Sequence, residues 1–238
     1  MKSLSELKVK LFADGARREG MLEMYKNPLI KGFTTNPTLM RQAGISDYEA
    51  FARGIAAAIP DRPLCFEVLA DEFPEMERQA GRIAAWGRQI YVKIPVTNSL
   101  GQSSIPLIRR LAAAGIKQNV TALTTLTQVR EAAEALSNGP SAIISVFAGR
   151  IADTGLDPMP VMAAAAELLR PWPRLELLWA SPRELLNIFQ ADQAGCHIIT
   201  ATGEILKKLD LIGKDLAEFS LDTVKMFKND AESAGFSL

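Results

Sequence analysis

One lysine occupies the centre of an apolar segment. Residues 90–96 read IYVKIPV, and Lys93 is the only charged side chain among them. Burying an ammonium group without a partner is costly, because the charged form loses its hydration. A buried amine is therefore expected in its neutral form, which can attack a carbonyl carbon and form an imine. The alternative is a lysine that extends into solvent from an exposed strand.

The residues around Lys93 alternate as they do in a β-strand. Side chains two positions apart lie on the same face of a strand, so Lys93, Pro95 and Thr97 share one face. Positions 92, 94 and 96 share the other face, and all three are apolar. We expect this apolar face to meet helices and Lys93 to point inward.

Two carboxylates follow other apolar segments and could move protons for this amine. Asp14 ends one segment, and Glu67 lies near the end of another. An amine nucleophile with two acids in different environments suits proton transfer during imine chemistry. Two alternatives stay open. Asp14 could be a turn or helix N-cap residue, and Glu67 could form a structural salt bridge with Lys93.

Short apolar segments that alternate with helical segments must position these side chains. The candidate strands lie at residues 9–13, 30–34, 64–68, 90–95, 118–122, 142–147, 175–180 and 196–200. Such strand-and-helix units in 238 residues predict a single (β/α)₈ TIM barrel domain over residues 1–238. A doubly wound open sheet is disfavoured, because no G-x-G-x-x-G turn follows a strand. Residues 213–238 predict an additional C-terminal helix that covers the barrel or reaches a neighbouring subunit.

Polar residues accumulate where the predicted strands end. Active sites of TIM barrels form at the carboxyl ends of the strands. Besides the lysine and the two acids, the polar residues there are Thr34, Asn36, Asn119, Thr121, Ser145 and Ser181. The sequence therefore predicts one polar cavity at that end of the barrel.

Charge and cysteine content argue against several classes of protein. Lys and Arg together number 27, as do Asp and Glu, so no electrostatic case exists for nucleic acid or an anionic membrane. Cys65 and Cys196 are expected to be buried free thiols. A metal role is not expected for these cysteines, and the only histidine, His197, is expected to be structural. The sequence has no signal-like start and no window near the roughly 18 apolar residues of a membrane span, which favours a cytoplasmic protein.

Four segments of the chain resemble those of the transaldolase family. They are GFTTNPTL at residues 32–39, YVKIPVT at 91–97, GIKQNVTAL at 115–123 and SVFAGRIADTG at 145–155. The chain length resembles the short branch of the family, which includes fructose 6-phosphate aldolases. The resemblance implies a (β/α)₈ barrel, sugar-phosphate substrates of the pentose phosphate pathway, no cofactor, and a homo-oligomer.

The resemblance also implies catalytic roles. Lys93 would form the imine with the ketone carbon of the donor sugar. Asp14 would take the proton of the C4 hydroxyl while the C3–C4 bond breaks. Glu67 and Thr121 would flank a water that moves protons during imine formation. The iminium would be the electron sink, so no metal would be needed.

Substrate-binding roles are implied in the same way. The residues that would contact the sugar are Thr34, Asn36, Asn119, Ser145 and Phe147. Arg150, Ser181 and Arg183 would bind the phosphate, since guanidinium groups suit a dianion by charge and by forked hydrogen bonding. The alternative for each arginine is a solvated loop charge. The sequence departs from the family at Trp179 and Pro182, and the proline could shift Arg183.

After cleavage, the three-carbon unit would remain on Lys93 as an enamine. Protonation by water would make the enzyme an aldolase that releases dihydroxyacetone. In the family, aldolases tend to carry Tyr and Gln where this chain has Phe147 and Glu67, and Phe147 has no hydroxyl to organise a protonating water. We therefore expect a transaldolase that moves a dihydroxyacetone unit from fructose 6-phosphate or an analogue to an aldose phosphate. The alternatives are an aldolase and a non-catalytic sugar-phosphate-binding barrel.

Overall fold

A closed barrel of parallel strands forms the centre of the protein, in a computed structural model that describes residues 4–236. Its strands follow one another in chain order, and the last pairs with the first. They are β1 (Lys10–Asp14), β2 (Ile30–Thr34), β3 (Leu64–Glu67), β4 (Ile90–Pro95), β5 (Gln118–Leu123), β6 (Ala142–Val146), β7 (Leu175–Trp179) and β8 (Ile198–Thr202). This architecture confirms the predicted (β/α)₈ fold.

Helices connect successive strands and surround the barrel. The α-helices within the described residues are α1 (Arg18–Lys26), α2 (Pro37–Gln42), α3 (Tyr48–Ala58), α4 (Phe73–Ala84), α5 (Ile105–Ala113), α6 (Leu126–Leu136), α7 (Ala148–Ala152), α8 (Met159–Leu169), α9 (Leu186–Gln193), α10 (Gly203–Leu206) and α11 (Leu216–Ala234). Two 3₁₀-helices, Leu4–Glu6 and Lys207–Leu211, precede β1 and follow α10.

Local sequence signals account for where several helices begin and end. Asp47 caps α3 by accepting a hydrogen bond from the amide of Ala50 at 2.9 Å. Thr125 and Gln128 form a reciprocal capping box at the start of α6. Beyond α5 the chain turns at Gly115, whose φ of +77° lies in the left-handed region that favours glycine. These residue types thus favour helix ends at the observed positions.

The buried apolar residues form two layers. The larger layer lies between strands and helices and includes Val92 and Ile94 of β4. The smaller layer fills the inside of the barrel and consists of Phe12, Cys65, Tyr91, Ile143, Leu178, Ala180 and Ile198. Because Tyr91 and Lys93 are two positions apart on β4, this inner layer closes the barrel beneath Lys93.

A glycine in β2 makes room for one ring of the inner layer. A Cβ on Gly32 would lie 2.5 Å from the ring of Phe12, which is itself 1% exposed. In the register of β1 and β2, Phe12 is opposite Gly32 and Asp14 is opposite Thr34. The ring of Phe12 therefore packs directly beneath the pair formed by Asp14 and Thr34.

The strand bounds differ from the sequence prediction by at most two residues. β8 begins at Ile198 rather than at position 196, because the amide of Cys196 donates to the carbonyl oxygen of Ala191 in α9. The short helices α2, α7 and α10 were not predicted. Their lengths of 6, 5 and 4 residues are too short for an apolar repeat to be visible.

The C-terminal helix α11 follows the eighth strand-and-helix unit, as predicted. Asp215 caps it by accepting hydrogen bonds from the amides of Ala217 and Glu218. None of its residues is buried. Its apolar side chains therefore do not belong to the barrel core.

Across residues 4–236, the helices are all too short or too polar to cross a membrane.

Candidate active site

A polar cavity of about 460 Å³ opens at the carboxyl ends of the strands. The predicted site residues that line it are Asp14, Thr34, Asn36, Glu67, Lys93, Asn119, Thr121, Ser145, Phe147, Arg150 and Ser181. Strand register places Glu67 beside Lys93 and Lys93 beside Asn119. The structure thus brings together all the predicted site residues except Arg183.

Lys93 lies inside the barrel with 7% of its surface exposed. Its Nζ is 2.9 Å from Glu67 Oε2 and donates to the carbonyl oxygen of Thr35 at 2.8 Å. The alternative of a lysine that extends into solvent is therefore excluded. The amine lies against Glu67, one of the two predicted acids, and a backbone carbonyl accepts a hydrogen bond from it. The salt bridge left open for Glu67 is present.

An aromatic cluster on the outer side of β3 fixes the end of that strand. The hydroxyl of Tyr48 donates to the carbonyl oxygen of Glu67 at 2.7 Å. Tyr48, Phe66 and Trp86 pack edge to face, with ring centroids 5.6 to 6.3 Å apart. Burial raises the pKa of Tyr48, so its hydroxyl remains a donor at neutral pH. Tyr48 therefore holds the backbone of Glu67 while the carboxylate contacts Lys93.

Asp14 ends β1 and takes part in a chain of buried hydroxyl groups. Its Oδ1 accepts a hydrogen bond from Thr34 Oγ1 at 2.7 Å, and Thr34 Oγ1 lies 2.5 Å from Thr200 Oγ1. Burial raises the pKa of Asp14, although the charge of Lys93 and the Thr34 hydrogen bond oppose that rise. The helix N-cap alternative does not apply, because the N-cap residue of α1 is Arg17. A carboxyl with a raised pKa is better suited to exchange protons near neutral pH.

β5 and β6 contribute polar groups from adjacent inward positions. Ser145 Oγ donates to Asn119 Oδ1 at 2.7 Å, which leaves the amide nitrogen of Asn119 as its donor group. Asn119 Nδ2 and Thr121 Oγ1 are both buried, and neither has a hydrogen-bond partner among residues 4–236. Buried polar groups are normally paired, so these two atoms are candidates to bind a ligand.

Asn36 has a structural task besides its place in the cavity wall. Its Oδ1 accepts a hydrogen bond from the amide of Leu39 at 3.0 Å and so caps α2, while Pro37 occupies the first helical position. The cap uses the oxygen and leaves the NH₂ group as the donor that Asn36 can offer to a ligand.

Ser181 and Arg150 form the outer part of the cavity. Ser181 has a φ of 60°, in the left-handed region that a serine rarely adopts. A Cβ on Gly149 would lie 1.5 Å from the carbonyl oxygen of Ser181, so only glycine permits this approach between α7 and the residues after β7. The approach places Ser181 against the helix that carries Arg150.

Arg183 is bound to Asp153 rather than placed in the cavity wall. Its Nε donates to Asp153 Oδ1 at 2.9 Å, and its Nη2 contacts Oδ2 of the same carboxylate. Arg150 Nη1 is 4.0 Å from that Oδ2. After Pro182, the backbone amide of Arg183 donates to Asn187 Oδ1 at 2.7 Å. Of the two arginines expected at the cavity, only Arg150 lines it. The guanidinium fork of Arg183, formed by Nε and Nη2, is bound by Asp153 instead.

Three residues that shape the site are not among those predicted from the sequence: Tyr48, Asp153 and Thr200. Thr200 is polar within an apolar strand and shares its face with the inward-pointing Ile198, which is a usable signal. Asp153 lies three positions after Arg150, a spacing at which helical side chains are neighbours. Tyr48 gives no signal, because an aromatic residue in a helix is usual in a core.

The remaining candidate nucleophiles and ligands have other roles. Burial raises the pKa of Cys65 to about 11 and that of Cys196 to about 12, so both thiols are protonated at neutral pH. Nδ1 of His197 accepts a hydrogen bond from the amide of Leu177 at 3.0 Å, a structural contact. In the part of the chain that the structure describes, no group of three or more His, Cys, Asp or Glu side chains could hold a metal ion.

Comparison of the sequence with known proteins identifies similar chains. Residues 11–238 match the family model described as transaldolase/fructose-6-phosphate aldolase. The chain is 30% identical over 218 residues to the "Probable transaldolase" of Dehalococcoides mccartyi, an alignment that covers 90% of this chain and 97% of that protein. It is 32% identical over 202 residues to the "Probable transaldolase 2" of Listeria monocytogenes, covering 84% of this chain and 88% of that protein.

Solved structures share the barrel at low sequence identity. A 2,3-dimethylmalate lyase of the PEP mutase/isocitrate lyase superfamily superimposes with a TM-score of 0.56 at 11% identity, covering 98% of this chain and 86% of that one. A structure described as native KDPGal superimposes with a TM-score of 0.55 at 15% identity, covering 99% of this chain and 100% of that one. At these identities the likeness concerns the fold alone.

Proposed function

Because the chain belongs to the transaldolase/fructose-6-phosphate aldolase family, we propose that it is a transaldolase. It transfers a dihydroxyacetone unit from fructose 6-phosphate, or a close analogue, to an aldose phosphate such as erythrose 4-phosphate. The observation that carries the proposal is the 2.9 Å contact between Lys93 Nζ and Glu67, in a cavity that Asp14 also lines.

Imine formation starts with a proton transfer within the buried ion pair. Glu67 takes a proton from Lys93, and the neutral amine attacks the ketone carbon of the donor. Glu67 returns the proton to the carbinolamine oxygen, which leaves as water. Thr121 Oγ1, buried without a partner in the described residues, can orient that water.

Asp14 serves the carbon–carbon cleavage. It takes the proton of the C4 hydroxyl while the electron pair of the C3–C4 bond moves into the iminium. The products are an enamine on Lys93 and an aldose phosphate. In the second half of the reaction the enamine adds to the acceptor aldehyde, and Asp14 returns the proton. The raised pKa of Asp14 suits a group that must both take and give a proton.

The remaining cavity residues hold the substrate. The NH₂ groups of Asn36 and Asn119 and the hydroxyl of Ser145 offer hydrogen bonds to sugar hydroxyls. Arg150 and Ser181 bind the phosphate, and Arg183 joins them by exchanging Asp153 for the phosphate. Binding energy at the phosphate can hold the ketone beside Lys93. Thr34 supports Asp14 from within the cavity wall.

Phe147 and Glu67 favour transfer over hydrolytic release. Phe147 lines the cavity and packs against the inner apolar layer, so it presents no hydroxyl that could organise a protonating water beside the enamine. The enamine is thus left for an acceptor aldehyde. An aldolase activity is the second candidate, because the matching family model includes both reactions.

A homo-oligomer forms part of the proposal. The exposed apolar side chains of α11 are Leu216, Phe219, Leu221, Val224, Met226 and Phe227, exposed by 45% to 82%. Several exposed apolar side chains on one helix are typical of a surface that contacts another protein. At the start of α11 a groove of about 810 Å³ is lined by Leu186, Phe189 and Leu211. A second copy of the chain offers both the helix and the groove.

The single-domain organisation of residues 1–238, the cytoplasmic location and the place in the pentose phosphate pathway remain predictions from the sequence.

Product analysis with fructose 6-phosphate tests the reaction type. We expect product in the presence of erythrose 4-phosphate and little free dihydroxyacetone in its absence. Release of dihydroxyacetone at the same rate without an acceptor would favour the aldolase, and ligand binding without turnover would favour a non-catalytic barrel. Lys93→Met should abolish turnover. Lys117→Met is the matched control, because Lys117 precedes β5 at the other end of the barrel and binds the carbonyl oxygen of Arg88.

A further inference from the structure

Thr200 is buried in the wall of the cavity but is not part of the mechanism described above. It lies in β8, and its side chain contacts Thr34 of β2 across β1. We propose that Thr200 is a positioning residue for the proton transfer by Asp14, acting through Thr34. This inference rests on the proposed function, because it concerns the group that moves the C4 hydroxyl proton.

The number of donor protons determines the direction of the hydrogen-bond chain from Thr200 through Thr34 to Asp14. Ionised Asp14 can only accept, so Thr34 must donate its single O–H proton to Asp14 Oδ1, 2.7 Å away. The 2.5 Å contact between the two threonine hydroxyls then requires Thr200 to be the donor. The chain therefore runs from Thr200 to Thr34 to Asp14. It occupies Oδ1 and leaves Oδ2 of Asp14 for the substrate hydroxyl.

The burial of the two threonines indicates a specific role for their hydroxyl groups. Thr34 is 3% exposed and Thr200 is 6% exposed. Valine would fill the same space without the cost of burying a hydroxyl group. Strand register places Asp14 opposite Thr34, while Thr200 is opposite Phe12, one inward position below Asp14. The hydroxyl chain therefore supports Asp14 from beneath, at the boundary between the cavity and the apolar interior.

The hydrogen-bond chain also influences the pKa of Asp14. The other titratable groups that face Asp14 or line a cavity with it are Lys93, Glu67, Cys65, Arg150, Arg17, Glu23, Glu204 and Lys207. A hydroxyl that accepts a hydrogen bond becomes a better donor, so Thr200 strengthens the bond from Thr34 to the carboxylate. Since that bond lowers the pKa of Asp14 against the effect of burial, removal of the Thr200 hydroxyl raises the pKa of Asp14.

Comparison of Thr200→Val with Thr200→Ser tests the inference. In transfer from fructose 6-phosphate, we expect Thr200→Val to lower kcat roughly three- to tenfold with little change in KM, as for the loss of one hydrogen bond. The acidic limb of its pH profile should move to higher pH, because Asp14 must be ionised to act as a base. Thr200→Ser keeps the hydroxyl and should restore both the rate and the profile.

Two outcomes would overturn the inference. The first is a wild-type pH profile in Thr200→Val, and the second is an equal loss in Thr200→Ser. If Thr200→Val does not fold, the same comparison is made with Thr200→Ala. Borohydride trapping of the donor on Lys93 separates this inference from the proposed function. Absence of the adduct in the wild type would contradict the proposed function, whereas an adduct combined with an unchanged Thr200→Val profile would contradict only the role of Thr200.

Discussion

Lys93 and Glu67 form an ion pair inside the barrel, with an Nζ–Oε2 distance of 2.9 Å and side-chain exposures of 8% and 17%. Each charge compensates the lost hydration of the other. Removal of one partner leaves the other as an uncompensated charge in a poorly hydrated site. The same contact that permits proton transfer in the proposed reaction therefore also contributes to folding.

Loss of Lys93 should destabilise the protein through its partner. We expect Lys93→Met to lower the free energy of unfolding by about 1 to 3 kcal/mol, because the partly buried Glu67 is left without its partner. A double variant, Lys93→Met with Glu67→Gln, should regain most of that loss, since the second change removes the unpaired charge. Urea denaturation of the two single variants and the double variant measures the coupling. Simple additivity of the two losses would contradict a coupled pair.

Asp14 should contribute to stability with the sign of a group whose pKa is raised on folding. Its unfolded pKa is about 3.9, and burial raises the folded value above its ordinary value. The stability contribution of Asp14 is therefore greatest below the unfolded pKa and decreases as the pH rises towards the folded one. At neutral pH we expect Asp14→Asn to be more stable than the wild type by on the order of 1 kcal/mol, while inactive.

Denaturation at two pH values checks this prediction for Asp14→Asn. The advantage of the variant should decrease as the pH falls and disappear near pH ~3, well below the unfolded pKa, where the carboxyl is protonated in both states. If the variant is no more stable than the wild type at neutral pH, burial does not raise the pKa of Asp14.

Arg150 should determine the affinity for phosphorylated sugars. Loss of a hydrogen bond between charged groups predicts a KM for fructose 6-phosphate that is roughly ten- to a hundredfold higher in Arg150→Gln. Unphosphorylated donors such as fructose should be used as before. Parallel kinetics with both sugars measure the difference, and an equal effect on both would place the phosphate elsewhere.

Asp153→Asn is the complementary variant, because it removes the charge that occupies the fork of Arg183. We expect this variant to lower the KM for fructose 6-phosphate. A higher KM would instead show that Asp153 supports phosphate binding.

Phe147 and Glu67 should set the partition between transfer and release. In Phe147→Tyr the new hydroxyl can orient a water beside the enamine, so dihydroxyacetone release without an acceptor should increase. Adding Glu67→Gln should increase the ratio of release to transfer further. Assay of both products from fructose 6-phosphate measures this ratio. An unchanged ratio in both variants would show that neither side chain controls the fate of the enamine.

The fold was predictable because its signals are local and repeated. Alternation along β4 places Lys93 inward, and capping residues such as Asp47 and Thr125 mark helix ends. The polar residues at the strand ends were predictable for the same reason, since a parallel barrel brings all carboxyl ends to one face.

The remaining parts of the site depend on contacts between residues distant in the chain. Thr34 meets Thr200, 166 positions later, and Arg183 meets Asp153, 30 positions earlier. Neither pairing has a signature in a single sequence. The hydrogen bond from Lys93 to the carbonyl oxygen of Thr35 was not predictable for a similar reason, because that oxygen belongs to the backbone of another segment.

Borohydride reduction in the presence of fructose 6-phosphate, followed by peptide mass spectrometry, tests the central claim most directly. The proposed chemistry predicts a single reduced adduct, with the three-carbon unit or the whole sugar on the peptide that contains Lys93, and no adduct in Lys93→Met. Turnover without any trapped adduct, or an adduct on another lysine such as Lys117, would contradict it.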